Sequence, residues 1–168
     1  MQQPAQPDAV IFRQDPHPSD IDAVRRITAS SGYFSGEEID VAVELVEERL
    51  SKGIESGYHF LFADIDGATV GYTCFGRIPC TLSSYDLYWI AVDDSCRNRG
   101  IGRELIARTE RIAREMGCKR LYVETASRPQ YDSTNAFYLR TQYVVDARHE
   151  HFYAENDAKI VYVKVLAP

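Results

Sequence analysis

The chain lacks a long hydrophobic run: none of its apolar stretches approaches the roughly 20 residues a bilayer-spanning helix needs, which excludes an integral helical membrane protein. It begins Met1-Gln2-Gln3-Pro4-Ala5-Gln6-Pro7, without the basic stretch and apolar core of a secretory signal, so the expected compartment is the cytoplasm. Its four cysteines, Cys74, Cys80, Cys96 and Cys118, have neither zinc-ligand spacing nor the setting of a small disulfide scaffold. They are expected as reduced thiols, and no metal site is expected. Basic residues are outnumbered, 19 against 25 acidic, and the net charge of -6 argues against a nucleic-acid partner. Internal repeats, low-complexity tracts and a second linker are absent as well. With 168 residues, 45% of them hydrophobic, the chain has material for one real core and too little for two. The expected organisation is a flexible N-terminus over residues 1–9 and a single domain over residues 10–168.

What is present is a junction between the most apolar strand candidate, Leu87 to Val92, and the most regular helix candidate, Ile101 to Met116. The stretch Arg97-Asn98-Arg99-Gly100-Ile101-Gly102 joins them. Gly100 and Gly102 let the backbone approach a ligand without Cβ obstruction. The helix behind them presents unpaired N–H groups and the positive end of its dipole. Arg97, Arg99 and Arg103 add formal positive charge at the same place in an acidic chain, which points to a phosphate or pyrophosphate. The simpler alternative is an ordinary strand-to-helix turn eased by glycine.

Along the rest of the chain, Val10 to Arg13 reads as a short strand stopped by Pro16-His17-Pro18. Ser19 with Asp22 is an N-cap signal for a helix burying Ile21, Val24, Ile27 and Thr28, and Ser35 with Glu38 is a capping box for a second, which Gly53 closes. Phe34, directly before Ser35, is expected as a hydrophobic staple; an aromatic flap over a substrate is the alternative. Tyr58 to Ala63 and Thr69 to Ile78 form a hairpin around Asp66-Gly67. The continuous apolar centre of Tyr85 to Val92 suits a strand covered on both faces, in mid-sheet. Its alternation predicts Asp86, Tyr88, Ile90 and Val92 on one face. The helix from Ile101 is predicted to bury Ile101, Leu105, Ile112 and Met116, with Glu104/Arg108 and Glu110/Arg114 as i,i+4 pairs. Leu121 to Glu124 then completes a βαβ unit with a parallel pair. Ser133 or Asp132 is expected to cap a short helix through Leu139, and Tyr143–Tyr153 with Lys159–Leu166 reads as a closing hairpin.

These residues resemble the GNAT superfamily of acyl-CoA-dependent N-acyltransferases over nearly the whole chain, from about Val10 to Leu166. Arg97-x-x-Gly100-x-Gly102 matches the family pattern Arg/Gln-x-x-Gly-x-Gly/Ala after a central strand. Phe137-Tyr138 followed by Gln142-Tyr143 is similar to a second family block, and the order of elements agrees. The fold so implied is α/β (α+β): one domain with a mixed central sheet, flanking helices and a central βαβ unit carrying the pyrophosphate loop. Two positions depart from the pattern. Tyr131 stands where the family usually has asparagine, seven residues before the tyrosine. Gln142 replaces a common glycine, which implies a different exit from the short helix.

The resemblance implies transfer of an acetyl group from acetyl-CoA to a primary amine, without a metal. It places the backbone of Ile90, Ala91 and Val92 along the pantetheine arm and the loop Arg97, Asn98, Arg99, Gly100, Ile101, Gly102 and Arg103 on the pyrophosphate. Thr134 and Tyr138 complete the cofactor contacts, and the Tyr138 hydroxyl lies where it can protonate the departing thiolate. A primary amine is mostly protonated at neutral pH, so a base must take its proton. Asp86 is the candidate by resemblance, and Glu124, at the end of the next strand, is its rival. The acceptor is expected to be a small-molecule amine, with a protein amine as the alternative, and a homodimer is compatible with the family. Tyr33, Tyr58, Tyr85, Tyr88 and Tyr131 are candidate pocket residues. Two other classes fit parts of the pattern: a non-catalytic acyl-CoA-binding domain, and a dinucleotide-binding βαβ unit. The second has Glu124 about twenty residues past the glycines but Leu105 where its third glycine would stand.

Overall fold

In the computed structural model, which describes residues 9–166, apolar strands and two pairs of amphipathic helices assemble around one mixed sheet. The flexible N-terminus expected over residues 1–9 falls almost wholly outside the described residues. Strand β1 (Ile11–Arg13) leads into helices α1 (Asp20–Ser30) and α2 (Gly36–Lys52); β2 (His59–Ile65), β3 (Ala68–Arg77) and β4 (Ser84–Val92) form a meander. Helix α3 (Ile101–Glu115), β5 (Arg120–Ala126), α4 (Asp132–Arg140), β6 (Val144–Ala154) and β7 (Asp157–Val165) follow. The sheet order is β1-β2-β3-β4-β5-β7-β6, so β4 is central, as its unbroken apolar run predicts. No helix among the described residues is long and apolar enough to cross a membrane.

Helices α1 and α2 cover one face, where Val24, Ile27 and Val46 meet Phe60, Phe62 and Tyr72. Helix α3 covers the other, with Ile101, Leu105, Ile106, Thr109 and Ala113 buried; Met116 is left exposed, because the buried stripe runs through Thr109 and Ala113 instead. Two buried hydroxyl pairs tie helices to β3: Thr28 with Tyr72 at 2.6 Å and Thr73 with Thr109 at 2.7 Å. At the sheet edge, the Arg13 guanidinium holds the buried Asp20 carboxylate and also reaches Asp64 and Thr69. This network bolts β1, α1, β2 and β3 together.

Local signals worked where the partner is a few residues away. Both halves of the Ser35–Glu38 capping box are formed, at 3.2 and 2.7 Å. Ser19 makes no side-chain cap; Asp20 instead accepts from the His17 amide at 2.6 Å, because Arg13 holds its carboxylate there. Asp132 and Ser133 likewise make no side-chain cap, since a short 3-10 turn at Pro129–Tyr131 feeds directly into α4. Glu104 pairs with Arg108, but Glu110 turns from Arg114 to Lys164 of β7, 2.8 Å away.

Two irregularities in β4 create the site. Cys74 lies opposite Trp89 and Phe75 opposite Leu87, so Tyr88 is an extra, bulged residue. The bulge resets the alternation. Tyr88, Trp89 and Ala91 pack toward α1 and α2, whereas Leu87, Ile90 and Val92 pack toward α3; the single face expected for Asp86, Tyr88, Ile90 and Val92 is therefore split. Second, the parallel pairing of β4 with β5 stops after Ser84–Arg120, Tyr85–Leu121 and Asp86–Tyr122. Beyond it β4 follows β3 and β5 follows β7, leaving a wedge between the carboxyl ends of the only parallel pair among the described residues.

Candidate active site

The wedge is where an open α/β sheet offers a crevice to a ligand. Its β4 side, beyond Asp86, has backbone donors and acceptors with no strand to bond, and its far end is capped by the N-terminus of α3. Gly100, the N-cap of α3, has φ 78, with open space where a Cβ would stand. Asn98 before it also has a positive φ of 60. The first amides of α3, which a helix leaves without intrahelical partners, adjoin this turn, and Gly100 supplies no side-chain cap for them. A groove of about 470 Å³ lies on them, lined by Val92, Arg97, Asn98, Gly100, Gly102 and Arg103 along with other residues. Ile101 borders this groove with its side chain buried. A Cβ on Gly102 would rest in ordinary contact with Phe137 and Val92 at 3.8 Å, so Gly102 is not required by internal packing. The arrangement suits an anionic group: a helix N-terminus and guanidinium groups border one concave surface.

Not every predicted arginine joins it. Arg97 pairs with Asp94 at 3.0 Å and lines both the groove and the adjoining cavity. Arg103 borders the groove and Arg140 of α4 joins it there, while Arg99 is not among the residues that line it. Arg140 carries no local signal: its arrival depends on how α4 packs.

Deeper in the wedge, a cavity of about 170 Å³ brings together Ile90, Ala91 and Val92 of β4, Glu124 of β5, and Thr134 and Tyr138 of α4. Tyr138 is 4% exposed, wedged between the rings of Tyr143 and Tyr162 at 5.5 and 5.6 Å. Its hydroxyl makes no hydrogen bond to the described residues. Burial holds the phenol well above its ordinary range, so it remains protonated through the physiological interval.

The two candidate carboxylates lie together. Asp86 and Glu124 line a second cavity of about 230 Å³ that shares Tyr88 and Glu124 with the first. Burial, followed by the nearby charge of Glu124, pushes Asp86 up to about 6, and Lys159 only partly offsets them. Glu124 is paired with Lys159 at 3.0 Å. The Asp86 carboxylate accepts no hydrogen bond among the described residues. No group of three His, Cys, Asp or Glu side chains converges among those residues.

Of the candidate tyrosines, Tyr33, Tyr88 and Tyr131 line the inner cavity. Tyr85 points to the α3 side and donates to the Met116 carbonyl at 3.1 Å; Tyr58 packs edge-on against Tyr88 at 5.5 Å. Phe34 meets Trp89 edge-to-face at 4.9 Å, and both line the inner cavity. Sequence reasoning missed Trp89 as a wall, because the bulge at Tyr88 turns it. It also missed Asn135, which accepts from Thr125 at 2.7 Å and Tyr162 at 3.0 Å and donates to the Ala126 carbonyl, holding α4 against the end of β5. Gln142 has φ 71, the left-handed turn glycine would make, so the helix exit is the common one and the expected departure does not occur.

Comparison with known proteins agrees with this geometry. The chain is similar to a GNAT-family structure from Desulfovibrio desulfuricans, with 42% identity over 95% of this chain and 100% of that one and a TM-score of 0.93. It shares its fold with the ribosomal-protein-S18-alanine N-acetyltransferase of Escherichia coli, at 15% identity, coverage of 95% and 96%, and a TM-score of 0.76. The same holds for an aminoglycoside 6'-N-acetyltransferase complexed with coenzyme A, at 17% identity, coverage of 94% and 98%, and a TM-score of 0.73. No curated protein matches it in sequence. The profile of the acetyltransferase (GNAT) family matches residues 21–143, most of the chain, and the protein therefore belongs to that family of transferases.

Proposed function

We propose that this enzyme moves an acetyl group from acetyl-CoA to the primary amine of a small molecule by direct transfer, in the cytoplasm. The observation that carries the proposal is the wedge itself: an unpaired β4 edge runs from an anion-binding helix terminus to a buried, protonated tyrosine beside a carboxylate pair. Arg97, Asn98, Gly100, Gly102 and Arg103 would hold the diphosphate, and Ile90, Ala91 and Val92 would bond the pantetheine arm as an added strand. Acetyl-CoA supplies an activated thioester carbonyl.

The side chains then have separate tasks. Asp86, largely ionised at neutral pH, takes the proton of the substrate ammonium, with Glu124 at the boundary between the two cavities as its relay. A backbone amide at Ile90 or Val92 polarises the carbonyl. Tyr138 gives its proton to the departing sulfur, a role suited to a phenol that burial keeps neutral. Thr134 lines the same cavity on α4 and borders the donor's thioester end.

A thiol-release assay with acetyl-CoA and a panel of amines tests the proposal, alongside calorimetric titration of acetyl-CoA. Amine-dependent release of CoA supports it. Tight donor binding without transfer to any amine would instead favour an acyl-CoA-binding role, and absence of binding would overturn the assignment of the loop.

A further inference from the structure

We infer that the acceptor is a primary amine on a compact apolar body about the size of one ring, carrying no carboxylate; the inference rests on the transferase reading above and narrows its substrate. Size comes first. The inner cavity measures about 170 Å³, and its side formed by Ile90, Ala91, Val92, Thr134 and Tyr138 is the one assigned to the thioester end of the donor, so the space left for the acceptor holds no more than about one ring. What enters such a space is a single compact group bearing the amine.

The walls set the second condition. Phe34 and Trp89 meet edge-to-face at 4.9 Å, and Ile27, Tyr88 and Tyr131 complete a largely apolar enclosure. Aromatic faces attract an ammonium and pack well on a flat apolar group.

Charge sets the third. The cavity is lined by two charged side chains, Glu124 and Arg97. Arg97 stands at the phosphate end, held by Asp94 at 3.0 Å and stacked 5.5 Å from the Tyr33 ring. At the opposite end, Glu124 is backed by Asp86, and the one ammonium nearby, Lys159, is taken up by Glu124 at 3.0 Å and by the Phe152 ring at 4.8 Å. An acceptor carboxylate at that end would therefore stand beside two like charges, with Lys159 already paired to Glu124 and with Arg128, stacked 4.9 Å over Tyr131, already paired to Asp157 at 2.9 Å. An ammonium in the same position gains both.

Trp89, the only tryptophan in the chain, forms part of the wall and reports occupancy by its own fluorescence. The test titrates 2-phenylethylamine, phenylalaninamide and phenylalanine into the protein saturated with CoA, where no transfer can occur. The first two are expected to change Trp89 emission, and phenylalanine to bind at least tenfold more weakly, although it matches phenylalaninamide in size. Phe34→Ala should weaken 2-phenylethylamine about tenfold while leaving the calorimetric affinity for CoA unchanged. Equal binding of phenylalanine and its amide, or no response to any of the three, overturns the inference. Repeating the series with acetyl-CoA separates the two levels: binding with the expected preference but no acetylated product would overturn the transferase reading and leave the cavity's selectivity standing.

Discussion

The side-chain amide of Asn135 donates to the backbone carbonyl of Ala126 at 3.1 Å, fastening α4 to the last residue of β5 where the sheet has opened. Its oxygen accepts from Thr125 and Tyr162 as well, so all three bonds depend on one side chain. Replacing it with alanine leaves buried hydroxyls without their acceptor. Asn135→Ala is expected to lower stability by about 2 kcal/mol in urea unfolding, with no change in slope.

Removing a proton donor should slow the chemical step and leave donor binding intact. Tyr138→Phe is expected to lower kcat about 10²-fold with an unchanged acetyl-CoA affinity by calorimetry, since the ring still fills its site between Tyr143 and Tyr162. An unchanged kcat would remove Tyr138 from the mechanism.

The base makes its own prediction. With Asp86 pushed up to about 6 by burial and Glu124, the ionised form that the proposed mechanism needs accumulates as pH rises through that value. The value of kcat/KM should climb between pH 5 and 7 with a midpoint near 6. Asp86→Asn should abolish that limb and lower the rate about 10²-fold. The same raised value means that the folded state binds this proton more tightly than the unfolded chain, so Asp86 favours folding below about pH 6 and loses that contribution as pH rises through it.

The two glycines of the loop should respond differently. Gly100→Ala forces a side chain into φ 78 and should cost about 1 kcal/mol, together with a weaker acetyl-CoA complex. Gly102→Ala places a Cβ in ordinary contact inside α3 and should be neutral or stabilising by up to about 1 kcal/mol. Thermal unfolding and calorimetry on both variants check the contrast.

At the far edge of the sheet, the fully buried Asp20 answers Arg13. Burial alone would raise its carboxyl, but hydrogen bonds from Arg13, the His17 amide and Thr69 outweigh it and hold the group below the usual carboxylate range. Its contribution is therefore present at neutral pH and is lost as pH falls below about 4 through the depressed value. Asp20→Ala removes one of the two carboxylates that hold the Arg13 guanidinium and should cost about 3 kcal/mol in urea unfolding at pH 7.

Much of the site was legible because its signals are local. The glycine turn into α3 could be read from Gly100, Gly102 and the following helix, and the capping box from Ser35 and Glu38, since each acts within one turn of chain. Asp86 and Glu124 could be named as rivals but not as neighbours. Their shared cavity, and the rise of Asp86 that follows, depend on β4 and β5 lying side by side. Arg99 and Arg140 show the same limit from the other direction. Arg140 lines the groove because α4 packs beside the loop, whereas Arg99, in the loop itself, is not among its lining residues.

The amino-acid sequence by itself determined the elements, the central place of β4, the glycine turn into α3 and the family pattern, because periodicity, capping and glycine conformation are set by residues a few positions apart. Tertiary structure alone decided which side chains face the reaction. The bulge at Tyr88 reverses the faces of everything after it, the early end of the β4–β5 pairing opens the wedge, and Phe34 closes on Trp89 from a distant loop. Each is a compromise between strands and helices competing for the same buried surface, and a one-residue shift in register is enough to exchange wall for core.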